Sequence, residues 1–118
     1  MKRRTNVIVK LQVEGLHCWP DAAEIFPEVG FLSDSHRHIF HIICKKRVNH
    51  DDRDVEFIIF KRDILEYLRG KYFDEDIRCH NFKSMSCEMI SRELMDEFDL
   101  KYCSVFEDNE NGAEIYYE

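Results

Sequence analysis

Ser35-His36-Arg37-His38-Ile39-Phe40-His41-Ile42-Ile43 is the stretch whose reading decides the fold. It holds aromatic and β-branched residues, contains neither Gly nor Pro, and is bounded upstream by Ser33-Asp34, so it reads as a β-strand. Residues two apart on a strand share a face. His36 and His38 therefore point one way and His41 the other. Two imidazoles on one face at one end of a strand are half of a metal site, and a neighbouring strand must supply the remainder. His17, at the end of the preceding strand-like run, is the candidate. Three neutral imidazoles with one position left open hold zinc in catalytic sites. The alternative is a pair of surface histidines, since short histidine motifs match often by chance.

Working outward, the upstream segment Asn6–Val13 alternates, with Val7, Val9, Leu11 and Val13 on one face, and reads as a half-buried strand. Gly15 through Asp21 breaks it, because Pro20 lacks a backbone donor and forces its predecessor into extended geometry. Residues 21–34 carry Pro27 and Gly30 and show no sustained period. They are expected to form a long loop with one helical turn at Asp21–Phe26, bringing the two histidine-bearing segments together at its ends. A loop of this length in a small domain tends to be functional.

Downstream, the central strand is expected to run from His36 to Val48, followed by a turn at Asn49–Asp52. Phe57, Phe60, Ile64, Tyr67 and Leu68 then fall at helical spacing, with Gly70 as the expected stop. This stripe reads as core, since any core-facing helix shows such spacing. Residues 74–83 show no pattern. Ser84 or Ser86 is placed to cap a second helix, Cys87–Phe98, with Ile90, Leu94 and Phe98 inward. Two closing strands, Tyr102–Phe106 and Ala113–Tyr117, flank Asp108–Gly112. Asn111-Gly112 is the strongest hairpin signal there, because both residues tolerate positive φ. His41 reads as core-facing and His50 as a turn residue. The element order is ββααββ, which predicts one α+β domain over residues 1–118: a four-stranded antiparallel sheet with two helices on one face.

Composition narrows the function classes. The 118 residues are 44% hydrophobic and 35% charged, ordinary for a globular domain, and the net charge is −7. An acidic balance disfavours bulk electrostatic binding to nucleic acid or to an anionic membrane. Lys2-Arg3-Arg4 is short and reads as a solvated tail. No apolar run approaches the roughly 20 residues that span a bilayer, and no signal peptide is visible. Five cysteines without a C-x-x-C pair read as free thiols of a reducing compartment, which makes the expected location cytoplasmic.

Five local motifs, in order along nearly the whole chain, resemble the tunnelling fold (T-fold) family of 6-pyruvoyl- and 6-carboxy-tetrahydropterin synthases. Val13-Glu14-Gly15-Leu16-His17-Cys18-Trp19-Pro20 resembles the end of that family's first strand, and His36-Arg37-His38 its His-Gly-His. Glu56-Phe57-Ile58-Ile59-Phe60-Lys61 matches the opening of its first helix and Met85-Ser86-Cys87-Glu88 that of its second. Val105-Phe106-Glu107-Asp108 matches the end of its third strand. The resemblance implies zinc on His17, His36 and His38, with Glu107 gripping the amino-pyrimidine edge of a pterin-like ligand. It implies a zinc-dependent carbon–oxygen lyase acting on a dihydroneopterin-triphosphate-like pterin. It also implies a homo-oligomer, a hexamer of two trimers joined edge to edge, in which Glu107 serves a zinc of the neighbouring chain. A zinc so held acts as a Lewis acid on hydroxyl and carbonyl oxygens, and a carboxylate can accept paired hydrogen bonds from an amino-pyrimidine.

The departures bear on chemistry. The family's catalytic cysteine, four residues before its first His-Gly-His histidine, is Leu32 here, which cannot carry a proton. Ser33 and Ser35 are weak bases unless activated. Cys18, beside His17, is one catalytic candidate, approaching the metal from the other side of the loop; the resemblance also implies a relay histidine between the two helices, for which His80, in Arg78-Cys79-His80-Asn81, is the residue available. The alternative to a synthase is a relative that keeps the metal and binds a purine- or pterin-like ligand without the original catalysis.

Overall fold

The computed structural model describes residues 1–118. Two thirteen-residue strands, β1 (Thr5–His17) and β2 (His36–Val48), form its spine, paired antiparallel without a break from Thr5 opposite Val48 to His17 opposite His36. Strand β5 (Tyr102–Glu107) runs antiparallel to β2, and β6 (Asn111–Tyr116) antiparallel to β5. These four strands lie in the sheet in chain order. The sheet is nevertheless six-stranded, not four-stranded: β3 (Phe73–Asp74) and β4 (Cys79–Asn81) extend it beyond β1, in the order β3-β4-β1-β2-β5-β6. Strand β4 lies parallel to β1, which makes the sheet mixed. Strands of two and three residues are too short to carry a period of two, so the unpatterned 74–83 segment concealed them.

Between β1 and β2 the chain forms a short helix, α1 (Ala22–Ile25), and a 3-10 stretch over Pro27–Ser33. Helices α2 (Phe57–Tyr72) and α3 (Cys87–Phe98) lie between β2 and β5 in sequence, interrupted by β3 and β4. The architecture is α+β. No helix is long and apolar enough to cross a membrane.

Strand parity sorts the residues. Val9, Leu11 and Val13 on β1, Phe40, Ile42 and Cys44 on β2, and Cys103 and Val105 on β5 are buried and share one core with both long helices. Helix α2 contributes Phe60, Ile64 and Leu68, four residues apart, and α3 contributes Ile90, Leu94 and Met95. Each fully buried Leu, Ile or Phe stabilises the fold by about 1.5–3 kcal/mol. With Phe40 and Ile42 turned inward, His41 must face the opposite side of the sheet. It is half-buried there, contrary to the core-facing position expected of it.

Helix ends follow local chemistry. Glu56 accepts from the Ile59 N–H at the start of α2, and Ser86 from the Met89 N–H at the start of α3. Phe57, expected inward, is 55% exposed in the first turn of α2, one position ahead of the buried stripe. Gly70 does not end α2. The helix runs on to Tyr72, which packs against Phe82 with ring centroids 5.0 Å apart. Glu93 of α3 accepts hydrogen bonds from the hydroxyls of Tyr67 (2.9 Å) and Tyr72 (2.5 Å), tying the two helices together.

Two glycines make room. A Cβ on Gly15 would lie 2.7 Å from the ring of Phe82, which is fully buried. The expected positive φ at Asn111-Gly112 is absent. Asp108 and Asn109 take the left-handed conformation instead (φ 54° and 57°), and the Glu110 N–H closes the turn on the Glu107 carbonyl at 2.9 Å. Gly112 is needed for close approach: a Cβ there would meet the Val105 carbonyl oxygen at 2.1 Å.

Candidate metal centre

The β1–β2 pairing carries His17, the last residue of β1, directly against His36, the first of β2, and sets His38 opposite Gly15. All three side chains have the parity of the core face. They cluster at the end of the sheet where the core runs out, with ring centroids 4.5 to 5.3 Å apart. The intervening loop is pinned at its mouth by Trp19 N–H to the Leu32 carbonyl and Cys18 N–H to the Lys83 carbonyl, both 2.7 Å.

Each Nδ1 faces an atom that can only accept. His17 Nδ1 lies 2.9 Å from the Met85 carbonyl oxygen and His36 Nδ1 2.8 Å from that of Asp34; His38 Nδ1 lies 2.7 Å from a carboxylate oxygen of Asp108. In the neutral form of each ring the proton therefore sits on Nδ1, which leaves the Nε2 lone pair free. The rings offer ligand nitrogens all within 4.8 Å of one another. Nε2 of His17 and of His38 is buried with no hydrogen-bond donor facing it. Rings held through one nitrogen and unpartnered at the other are the usual arrangement around a bound metal ion. Burial is the largest influence on His17 and lowers its pKa, against the raising effects of the Met85 carbonyl and Glu107. The neutral, ligating form is thereby favoured.

Glu107, at the end of β5, joins this cluster in its own chain. Its Oε2 lies 2.9 Å from His17 Nε2 and its Oε1 3.5 Å from His38 Nε2. The pairing of β5 with β2 sets Glu107 opposite Phe40 on the core face, beside the histidines of its own chain. The Cys87 thiol, at the first position of α3, points to Glu107 Oε2 at 3.8 Å. Burial, then the charges of Glu107 and Glu88, push that thiol up to about 12.

A pocket of about 360 Å³ opens beside the histidines, with Trp19, Leu32, Met89 and Asn111 in its wall. Cys18 also lines it, on the metal side of the loop. His80 does not. It sits on β4, stacked on Phe82, with Nδ1 3.1 Å from the Glu14 carbonyl, and it borders a separate cleft with Arg69 and Phe73. The structure brings together His17, His36, His38, Glu107 and Cys18, and leaves His80 apart.

Asp108 and Cys87 belong to this site; both lie inside the quoted motifs, but the resemblance assigns a role to neither. Asp108 had a signal: an acidic residue next to Glu107, at the end of a strand bound to pair with the histidine strand. Cys87 had none, because a cysteine opening a helix is more often core filling.

Neither a protein-family profile nor a curated protein matches the chain. Among solved structures it is similar to the uncharacterized protein WS1659 from Wolinella succinogenes, with a TM-score of 0.57 and 12% identity over 99% of this chain and 100% of that one. At that identity the likeness shows a shared fold alone.

Proposed function

We propose that the chain is a zinc-binding relative of the T-fold tetrahydropterin synthases, holding the ion on His17, His36 and His38 and admitting a small planar heterocycle of pterin or purine type to the adjoining pocket. One observation carries the metal: all three Nδ1–H groups are committed to acceptors, so the Nε2 atoms of the three neutral rings are left to converge as ligands. Imidazole nitrogens suit zinc among the available first-row ions. The T-fold reading is supported by β1, β2, β5 and β6 lying in chain order with α2 and α3 between the second and third, and by the five motifs.

The pocket favours ligand binding without the synthase reaction. Leu32, at the family's cysteine position, lines it and has no proton to give. A lyase reading retains one supporting observation. Cys18 also lines the pocket and is the least buried of the five cysteines, so it is the side chain to carry a proton while the zinc polarises the substrate's oxygens. Assembly as a hexamer of two trimers belongs to the same proposal. The free edge of β6, with Tyr116 and Tyr117 exposed beside it, supports edge-to-edge joining.

Elemental analysis of wild type and His36→Ala tests the metal. About one zinc per chain, lost in the variant, is expected; a metal-free wild type after reconstitution sinks the proposal. Incubation of the zinc form with dihydroneopterin triphosphate then separates the two readings: a thermal shift without turnover supports binding alone, and product formation that Cys18→Ser abolishes supports the lyase. Light scattering at monomer mass would remove the hexamer.

A further inference from the structure

The pocket beside the histidines has a one-sided charge. Its wall carries two carboxylates, Glu88 and Glu107, and neither a lysine nor an arginine. The rest includes the neutral polar side chains of Ser84, Ser86 and Asn111 and the apolar ones of Trp19, Leu32 and Met89. Glu107 closes β5, and Glu88 stands in the first turn of α3. Both charges reach into the wall. The Cys87 thiol, 3.8 Å from Glu107, has its pKa raised first by burial and then by the charges of Glu107 and Glu88.

Three features oppose this field, and none reverses it. The N-terminus of α3 borders the pocket with about half a positive charge. Glu88 offsets it with a full negative one in the same turn, and Ser86 already accepts the Met89 N–H. A divalent ion on the three histidines adds two positive charges, which the two carboxylates cancel. Lys83 precedes the wall residue Ser84 but is exposed and does not line the pocket. A single phosphate group brings about 1.5–2 negative charges at neutral pH, and a triphosphate brings more. The wall holds no side-chain cation to receive them.

Resting on the ligand pocket proposed above, we infer that its occupant carries no phosphate: it is a neutral or cationic planar heterocycle, such as a free pterin or nucleoside, kept apart from its phosphorylated forms by the charges of Glu88 and Glu107. Specificity of this kind comes from a repulsive element as much as from an attractive one. The size agrees, since about 360 Å³ lies near the small end of ligand pockets, about 300–1,000 Å³. Met89, 55% exposed at the wall, offers a flexible thioether to an aromatic ring. The serine hydroxyls and the Asn111 amide can pair with ring or sugar groups that bear no charge. The triphosphate substrate that the family resemblance implies is thereby set aside.

The test uses the full-length chain reconstituted with zinc and four probes: 7,8-dihydroneopterin and its triphosphate, guanosine and GMP. Affinities are read by pterin fluorescence and calorimetry at low salt and at about 0.5 M salt, with elemental analysis confirming that zinc stays in place. Wild type is compared with Glu88→Gln and with Glu97→Gln, on the same helix but outside the wall. A phosphate-free probe is expected to bind about tenfold or more tightly than its phosphorylated partner. High salt and Glu88→Gln should each shrink that ratio severalfold, and Glu97→Gln should leave it alone. Phosphorylated probes that bind as tightly as the free ones overturn this inference and leave the pocket reading standing. So does a ratio that neither salt nor Glu88→Gln moves, since exclusion by size alone behaves that way. No binding of any of the four probes overturns both.

Discussion

Asp108 accepts the Nδ1 proton of His38 at 2.7 Å through one carboxylate oxygen and the backbone N–H of Ile39 at 2.9 Å through the other. The imidazole donor, then the backbone donor, hold the Asp108 carboxyl below the usual carboxylate range. One side chain thereby fixes the tautomer of His38 and fastens the β5–β6 turn to β2. Asp108→Asn is the informative variant, since asparagine tolerates the left-handed φ of 54° at this position. It leaves one acceptor for two donors. Zinc affinity is expected to fall about 10- to 100-fold with the fold intact, read by chelator competition; unchanged affinity would show that His38 orients itself.

Metal loading should raise thermal stability. The histidine cluster buries nitrogen lone pairs without donors, and an ion bound only by the folded chain stabilises it by about 2.7 kcal/mol at a hundredfold excess over Kd. Calorimetry of the chain with and without zinc should show the gain, and His36→Ala should abolish it. Equal midpoints would mean that the cluster binds no ion tightly.

Gly15→Ala should destabilise the protein without touching a metal ligand. The added methyl meets the Phe82 ring at 2.7 Å and the His80 carbonyl oxygen at 3.2 Å, and Phe82 has no exposed side to move toward. Overpacking of this kind costs about 1–3 kcal/mol. Urea unfolding should show a lower midpoint with the slope preserved; a midpoint matching wild type would mean that the Phe82 cage has slack.

Stability should fall on mild acidification, in part through His80. Burial is the largest influence on it and lowers its pKa, and the charge of Arg69 acts in the same direction. A histidine whose folded pKa is depressed binds fewer protons folded than unfolded. Stability from this group is full above the unfolded value near 6.5 and declines as pH falls toward and through the folded value. His80→Gln, compared with wild type by urea unfolding at pH 7.5 and 5.5, should show a smaller loss between the two. Parallel losses would remove His80 as a contributor.

Thiol labelling provides a check on packing. Cys44, Cys79, Cys87 and Cys103 are buried, and Cys18 is partly exposed. Under native conditions without metal, one cysteine should react with a maleimide, identified by mass spectrometry as Cys18. Labelling of Cys87 at a comparable rate would mean that α3 opens at its N-terminus.

The residues legible in the sequence are those whose neighbours share a period. Strand β2 runs from His36 to Val48 as its β-branched and aromatic content implied, and parity placed His36 and His38 together on one face. Helix α3 begins where Ser86 caps it. Parity also fixes His41, but only once Phe40 and Ile42 are recognised as the inward pair. Strands β3 and β4 had no period to show: β4 pairs with β1 from 65 residues away, and β3 pairs only with β4. The same is true of Asp108 and Cys87, whose roles come from what lies across the sheet from them. Residue type alone places Gly112 in a turn, whereas it is the approach of Val105 that requires it.

The histidine cluster is assembled from the two extremes of the chain. His17, His36 and His38 come from the first third, and Glu107 and Asp108 reach them only when β5 docks on β2. During synthesis the β1–β2 hairpin can form as soon as it emerges, since both strands are complete at Val48, before either long helix or β5 has been made. The carboxylates that hold and border the cluster arrive about seventy residues later. Metal acquisition is therefore a late event in the life of a nascent chain, and an ion taken up too early by the hairpin alone would find three imidazoles and no carboxylate to orient His38.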